Sequence, residues 1–288
     1  MKQGIGDRER KNRAVVTAFA IQKGGEGKTT AAVNIAAYVA MKKNRKVCLI
    51  DMDPSGNATV ASTGSESRKT FLDVIEGSHE IREIQRISPY SPNLTVIPGG
   101  KPLTHFASTM SGEIGREYKM ADALEASGIL GDYDHIFIDS PPTLDLTTVS
   151  VLTAADNVVV PTQCTKFSVQ GLVALFYEIG KIRHRINPNL GILGVFVNMW
   201  SGREILQRNV LSEVADYLSG LNVRLFDSKV RDSVSVNEAA LACMPVFMHR
   251  PGSIADRDIS VLAEEVYVAL TGVGAITTEE EKPLLRKM

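Results

Sequence analysis

Between residues 23 and 30 the chain reads Lys23-Gly24-Gly25-Glu26-Gly27-Lys28-Thr29-Thr30, an order suited to holding a polyphosphate. Glycines lack the Cβ that would keep backbone N–H groups from converging on phosphate oxygens. The N-terminus of a following helix adds partial positive charge, Lys28 can reach the β- and γ-phosphates, and the Thr29 hydroxyl can enter the shell of a Mg²⁺ ion. A turn that merely joins a strand to a helix would need glycine but not the Gly-Lys-Thr that follows it.

Two acidic clusters close apolar runs elsewhere. Residues 47–50 lead into Asp51-Met52-Asp53-Pro54-Ser55-Gly56-Asn57, and residues 136–138 into Asp139-Ser140-Pro141-Pro142. In an open α/β sheet the carboxyl ends of the strands form the ligand crevice, so these aspartates are expected to face the phosphates. Asp53 could there orient an attacking water. Asp139 could hold a magnesium-bound water, with Ser140-Pro141-Pro142 as a stiff turn near the γ-phosphate. His135 precedes the apolar run and is read as marking a strand edge rather than as a catalyst.

Strands and helices must position these groups. The unbroken apolar run over residues 14–21 reads as a buried strand before the glycine loop, and the apolar positions after it predict a helix over 28–41. Further strands are expected at 47–51, 94–97, 136–138, 157–161, 192–198 and 223–226. Helices are expected at 112–127, 203–218 and 255–270, the last with Gly272 after it, and a further helix is expected to follow residues 162–172 and end at about 185. Residues 58–93 show only short helical patterns broken by Gly77, Pro89 and Pro92 and are assigned no chemistry. The alternation predicts a single doubly wound α/β domain with a mostly parallel sheet of about seven or eight strands and helices on both faces. It spans residues 14–271, between a basic N-terminal tail (1–13) and a charged C-terminal tail (272–288) expected to be disordered.

Bulk composition narrows the field. The 288 residues carry a formal net charge of -1, so DNA contact would need a local basic patch rather than a global field. The three cysteines, Cys48, Cys164 and Cys243, form no Cys-x-x-Cys pair, which argues for free thiols rather than disulfides or a cysteine-held cluster. No apolar run approaches the roughly 18 to 20 residues of a membrane span, and the charged start lacks a signal-peptide core. The expected location is the cytoplasm, without membrane association.

The loop with its second lysine, Lys23, resembles the deviant Walker A motif of the ParA/MinD family of ATPases. The resemblance extends over residues 14–271. Asp51 to Asn57 is similar to that family's Asp-x-Asp-Pro-Gln-Gly-Asn element, with Ser55 for the usual glutamine, and Asp139 to Pro142 to its Walker B and switch element. Residues 230–239 are similar to its Ile-Pro-Arg-Asn-Val-Arg-Leu-Ser-Glu-Ala segment.

That resemblance implies ATP and Mg²⁺ as cofactors and hydrolysis that is weak without a partner. Lys23, Lys28 and Asp53 would be catalytic, Lys23 acting across a nucleotide-sandwich homodimer and Asp53 positioning water. Gly24, Gly25, Glu26, Gly27, Lys28, Thr29 and Thr30 would hold the nucleotide, Asn198 would read adenine, and Thr29, Asp51 and Asp139 would serve the metal. Glu26 stands where the family has an apolar residue. A carboxylate beside polyphosphate is repelled by roughly a few kcal/mol at low effective dielectric, so Glu26 is expected to point away, toward a cation across the interface.

The resemblance further implies a partition ATPase that binds DNA nonspecifically as the ATP dimer, associates with the nucleoid in that state, and is released by a ParB-type partner. Asp232 and Ser235 stand where the family has arginines. Arg224, Lys229, Arg231 and Arg250 are therefore the candidates for the DNA face. Two alternatives stay open: a positioner of protein cargo built on the same cycle, and a phosphate-loop ligase that activates a carboxylate.

Overall fold

The computed structural model describes residues 13–272. The two tails lie outside the described residues except at their inner ends. Arg13 pairs through its guanidinium with Asp156, and Gly272 is the last residue of the closing helix rather than a residue beyond it.

Eight strands build one sheet: β1 (Val15–Phe19), β2 (Val47–Asp51), β3 (Arg86–Ile87), β4 (Leu94–Ile97), β5 (His135–Asp139), β6 (Asn157–Gln163), β7 (Gly191–Trp200) and β8 (Leu225–Arg231), in the order β3-β4-β2-β5-β1-β6-β7-β8. All pairings are parallel except β3 with β4. The doubly wound, mostly parallel sheet expected from the sequence is thus observed.

Continuous apolar strands follow from burial on both faces. On β5, Ile136 and Ile138 enter one core, and Phe137 enters the other. The helices Lys28–Lys42 and Ile254–Gly272 cover the Phe137 side. The helices Lys119–Ala126, Leu146–Ala154, Ser168–Arg185 and Ile205–Gly220 cover the opposite side. From β1 the chain winds toward β2 on one side of the sheet, and from β5 it passes to β6 on the other. The loop after β1 therefore opens at a topological switch point, where such sheets bind ligands.

Residues 57–93 hold the short helices Asn57–Thr63, Phe71–Ile75 and Ile81–Ile84, in keeping with the short helical patterns expected there, and the antiparallel edge strand β3, which was not expected. Thr70 caps the second of these, accepting from Leu72 N at 3.3 Å while Asp73 accepts from Thr70 N at 2.7 Å. The helix expected over 112–127 begins only at Lys119, after a 3-10 turn at Arg116–Tyr118, because Gly112 (φ 87) and Gly115 (φ 69) hold the preceding backbone in the left-handed region. All three cysteines are free, as expected.

Candidate active site

Gly25 and Gly27 take φ values of 78 and 94, and Gly27 caps the helix Lys28–Lys42. A Cβ on Gly27 would collide with the Asn198 amide, so this position admits only glycine. The loop is tied to the ends of two strands. Asn198 on β7 donates from Nδ2 to the Glu26 carbonyl at 2.8 Å. Gln163, at the end of β6, donates from Nε2 to the Gly25 carbonyl at 2.8 Å and from its backbone N–H to Glu26 Oε2 at 2.8 Å.

The two lysines differ in their surroundings. Lys28 is buried, and its Nζ donates to the Lys23 carbonyl at 3.3 Å. Burial pushes its ammonium pKa down, against the opposing charges of Asp139, Asp53 and Glu26. The Lys23 ammonium pairs with the Glu26 carboxylate of its own chain. Glu26 thus finds its cation within the loop, where the sequence led us to expect one across an interface.

A cavity of about 330 Å³ lies over this loop, within the size range of ligand pockets. Of the expected site residues, Gly24, Gly25, Gly27, Lys28, Thr29 and Thr30 line it, as do Asp53 and Asn198, with Pro142 beside them. Its far wall comes from Met199 and residues 230–233, with Val236 and Asn237. Asp53 sits just past the end of β2, with one carboxylate oxygen accepting from Ser55 N at 2.8 Å.

Asp51 and Asp139 lie deeper, both buried. Burial is the main cause that raises the Asp51 pKa, to about 6, against hydrogen bonds from Thr59 and Asp53. Asp139 is pushed well above the ordinary carboxylate range, first by burial and then by the charge of Asp51, with Thr29 and Lys28 opposing. Both oxygens of Asp139 are buried without a hydrogen-bond partner. A buried, unpartnered carboxylate close to a threonine hydroxyl fits a divalent cation, whose charge would supply the missing compensation. Among the described residues no group of three His, Cys, Asp or Glu side chains is arranged to hold a metal ion by itself, so the protein would contribute only part of the shell. Mg²⁺ in phosphate sites is held in that way, by one or two carboxylates with waters and phosphate oxygens.

The four basic candidates do not form a field of free cations. Arg231 makes a two-pronged pair with Asp258, its Nε donating at 2.8 Å, while Asp258 also accepts the Arg231 backbone N–H at 3.0 Å. Arg224 pairs with Glu265 at 3.5 Å, and Arg250 with Glu238 at 3.5 Å. Lys229 donates to the Asp227 carbonyl at 3.3 Å. Arg231 is thus clamped to the closing helix through Asp258.

Three functional groups escaped the sequence reading. Gln163 braces the loop from the carboxyl end of β6, a role that its place in the sequence does not show. Thr59 and Gly99 secure Asp51: Thr59 donates to it twice, and Gly99 donates its N–H to Thr59 Oγ1 at 2.9 Å. A Cβ on Gly99 would come within 2.7 Å of Asp51 Cγ, a contact that no periodicity reveals. His135 stands at the other end of β5 from Asp139, outside the cavity.

Comparison with known proteins places this geometry. Residues 14–192 match a family model described as an AAA domain. The chain is 36% identical over 253 residues to the chromosome partitioning protein ParA of Caulobacter vibrioides, covering 87% of this chain and 93% of that protein. It is 32% identical over 253 residues to the sporulation initiation inhibitor protein Soj of Bacillus subtilis, covering 87% and 97%. Among solved structures, cobyrinic acid a,c-diamide synthase of Mycobacterium smegmatis with bound ADP and magnesium superposes with a TM-score of 0.76 at 25% identity, covering 90% of this chain and 96% of that one.

Proposed function

This chain belongs to the ParA/Soj group of ATPases within the ParA/MinD family, and from that premise we propose that it is an ATP-driven partition switch. ATP closes two copies into a nucleotide-sandwich dimer in which Lys23 reaches the partner's nucleotide. The dimer binds DNA nonspecifically and so gathers on the nucleoid, and a ParB-type partner stimulates hydrolysis and releases it into the cytoplasm. No helix among the described residues is long and apolar enough to cross a membrane.

The observation that carries this reading is that Lys28 and Asp53 line one cavity over the glycine loop, with the buried, unpartnered Asp139 close enough to act on the charge of Lys28. In the proposed reaction the backbone N–H groups and Lys28 grip the β- and γ-phosphates. Asp53 orients a water whose oxygen bonds to the γ-phosphorus as the bond to the β–γ bridging oxygen breaks, giving ADP and inorganic phosphate. Thr29, Asp51 and Asp139 would hold Mg²⁺, which neutralises charge on the phosphate oxygens when bound. Asn198 already supports the loop through its amide nitrogen, so reading adenine would be a second duty for the same side chain.

The DNA role draws on the four basic residues in a modified form. Partly exposed ion pairs contribute only about 0–1 kcal/mol, so DNA phosphates can compete for Arg224 and Arg250. Lys229 needs no such release, whereas Arg231 is held by three hydrogen bonds to Asp258.

The test is phosphate release with Mg-ATP alone, then with DNA and the ParB-type protein of the same genome. Slow turnover that those two together accelerate supports the proposal. Turnover that they leave unchanged points to a different cargo, such as a protein assembly. A ligase reading is kept because the synthase named above shares the fold, and turnover that appears only with a carboxylate acceptor would favour it.

A further inference from the structure

The ion pair inside the phosphate loop joins two unequal members. The Glu26 side chain is 5% exposed and the Lys23 side chain 52%. Glu26 is fixed at three atoms: Oε1 takes the Lys23 ammonium, Oε2 accepts the Gln163 N–H, and its carbonyl accepts from Asn198. The acid is therefore an anchor and the lysine its mobile partner. A buried carboxylate stripped of its cation keeps its desolvation cost, so the pair resists opening unless another group compensates it.

We propose that Glu26 is a positioning residue that holds Lys23 in its own loop and makes its release conditional on competing phosphate. The consequence for dimerisation rests on the function proposed above. Lys23 can serve a second subunit's nucleotide only after leaving, or sharing its ammonium with, Glu26. A triphosphate, with more charge than one carboxylate, can draw it away. Without phosphate the lysine stays home, and the monomer is favoured. An apolar residue at position 26 would provide no such restraint, so this chain has a stricter nucleotide requirement built into its loop.

The direct test is the reactivity of Lys23 in the full-length protein without nucleotide, read by reductive methylation and peptide mass spectrometry in wild type and Glu26→Gln. Glutamine matches glutamate in shape and can still accept the Gln163 N–H, so the loop's anchor is retained while the charge is lost. We expect Lys23 to react about two- to fivefold faster in the variant, as loss of a partly exposed ion pair allows, with the exposed Lys101 unchanged. Equal rates at Lys23 would overturn the proposal. In wild type alone, raising salt should speed Lys23 labelling relative to Lys101, and indifference to salt would equally contradict the pair.

Sedimentation with a nonhydrolysable ATP analogue then reads the consequence. The Glu26→Gln dimer should form at lower protein concentration than the wild-type dimer, and coincident midpoints would overturn the conditional release. If neither protein dimerises while the labelling difference stands, the ATP-dimer reading fails and the hold of Glu26 on Lys23 remains.

Discussion

Asp51 and Asp139 lie in register on the adjacent parallel strands β2 and β5, and their carboxylates are treated in opposite ways. Asp51 accepts from Thr59 N at 2.8 Å, Thr59 Oγ1 at 2.7 Å and Asp53 N at 3.0 Å. Asp139 accepts nothing. The first aspartate therefore also shapes the turn that carries Asp53, while the second has both oxygens left for a bound cation. Removing that unpaired charge with Asp139→Asn should leave the thermal midpoint of the nucleotide-free protein equal to or above wild type, and should abolish the extra stabilisation that Mg²⁺ gives to ADP binding. Thr59→Val should instead lower stability by about 1–3 kcal/mol, because it leaves the buried Gly99 N–H without its acceptor and Asp51 with one donor fewer. Thermal unfolding with ADP, with and without Mg²⁺, separates the two roles.

Asp53 lines the cavity, and its carboxylate accepts from Ser55 N. Asp53→Ala should keep nucleotide affinity, lower turnover by about 10²-fold or more, and accumulate the ATP-bound dimer. Single-turnover kinetics beside equilibrium nucleotide binding measure both; unaltered turnover would remove Asp53 from the mechanism.

At the far end of β5, burial holds His135 below its ordinary pKa of 6.5, and its ring stacks on Phe137 and meets Tyr267 edge-on. The unfolded chain then binds this proton more readily than the folded one, so stability is lost as pH falls through about 6.5 toward the depressed folded value. His135→Gln should flatten that part of the acid limb, seen as a smaller difference in thermal midpoint between pH 7.5 and pH 5.5. An unchanged difference would show that His135 does not contribute to it.

What could be read from the sequence depended on how local each cause was. Lys28, Thr29, Asp53 and Asp139 were legible because phosphate chemistry demands particular types immediately after apolar strands, and the structure places Lys28, Thr29 and Asp53 around one cavity, with Asp139 buried beneath it. The doubly wound, mostly parallel sheet followed from the alternation of apolar runs and helices, whereas the order of its strands is seen only in the fold. Gln163, Thr59 and Gly99 were illegible because their roles come from contacts between segments far apart in the chain. The edge strand β3 has only two residues and no periodicity to detect. The basic candidates looked free because Asp258, Glu265 and Glu238 approach them only in the fold.

Those pairs decide which charge reversal reports on DNA. Lys229→Glu should weaken binding to unrelated duplexes alike and flatten the salt dependence, since phosphate contacts carry no base information. Arg231→Glu would set two carboxylates against each other at Asp258 and lower stability as well, so it is the poorer probe. A salt series on two unrelated duplexes, in the presence of an ATP analogue, checks this; no change with Lys229→Glu would remove this residue from the DNA face.

The central claim is that ATP joins two copies through Lys23. Sedimentation velocity of wild type and Lys23→Ala, each with Mg-ADP and with Mg²⁺ and a nonhydrolysable ATP analogue, tests it most directly. A dimer is expected only for wild type with the ATP analogue, and monomers in the other three samples. A wild type that stays monomeric with the analogue, or a Lys23→Ala variant that dimerises as well as wild type, would contradict it.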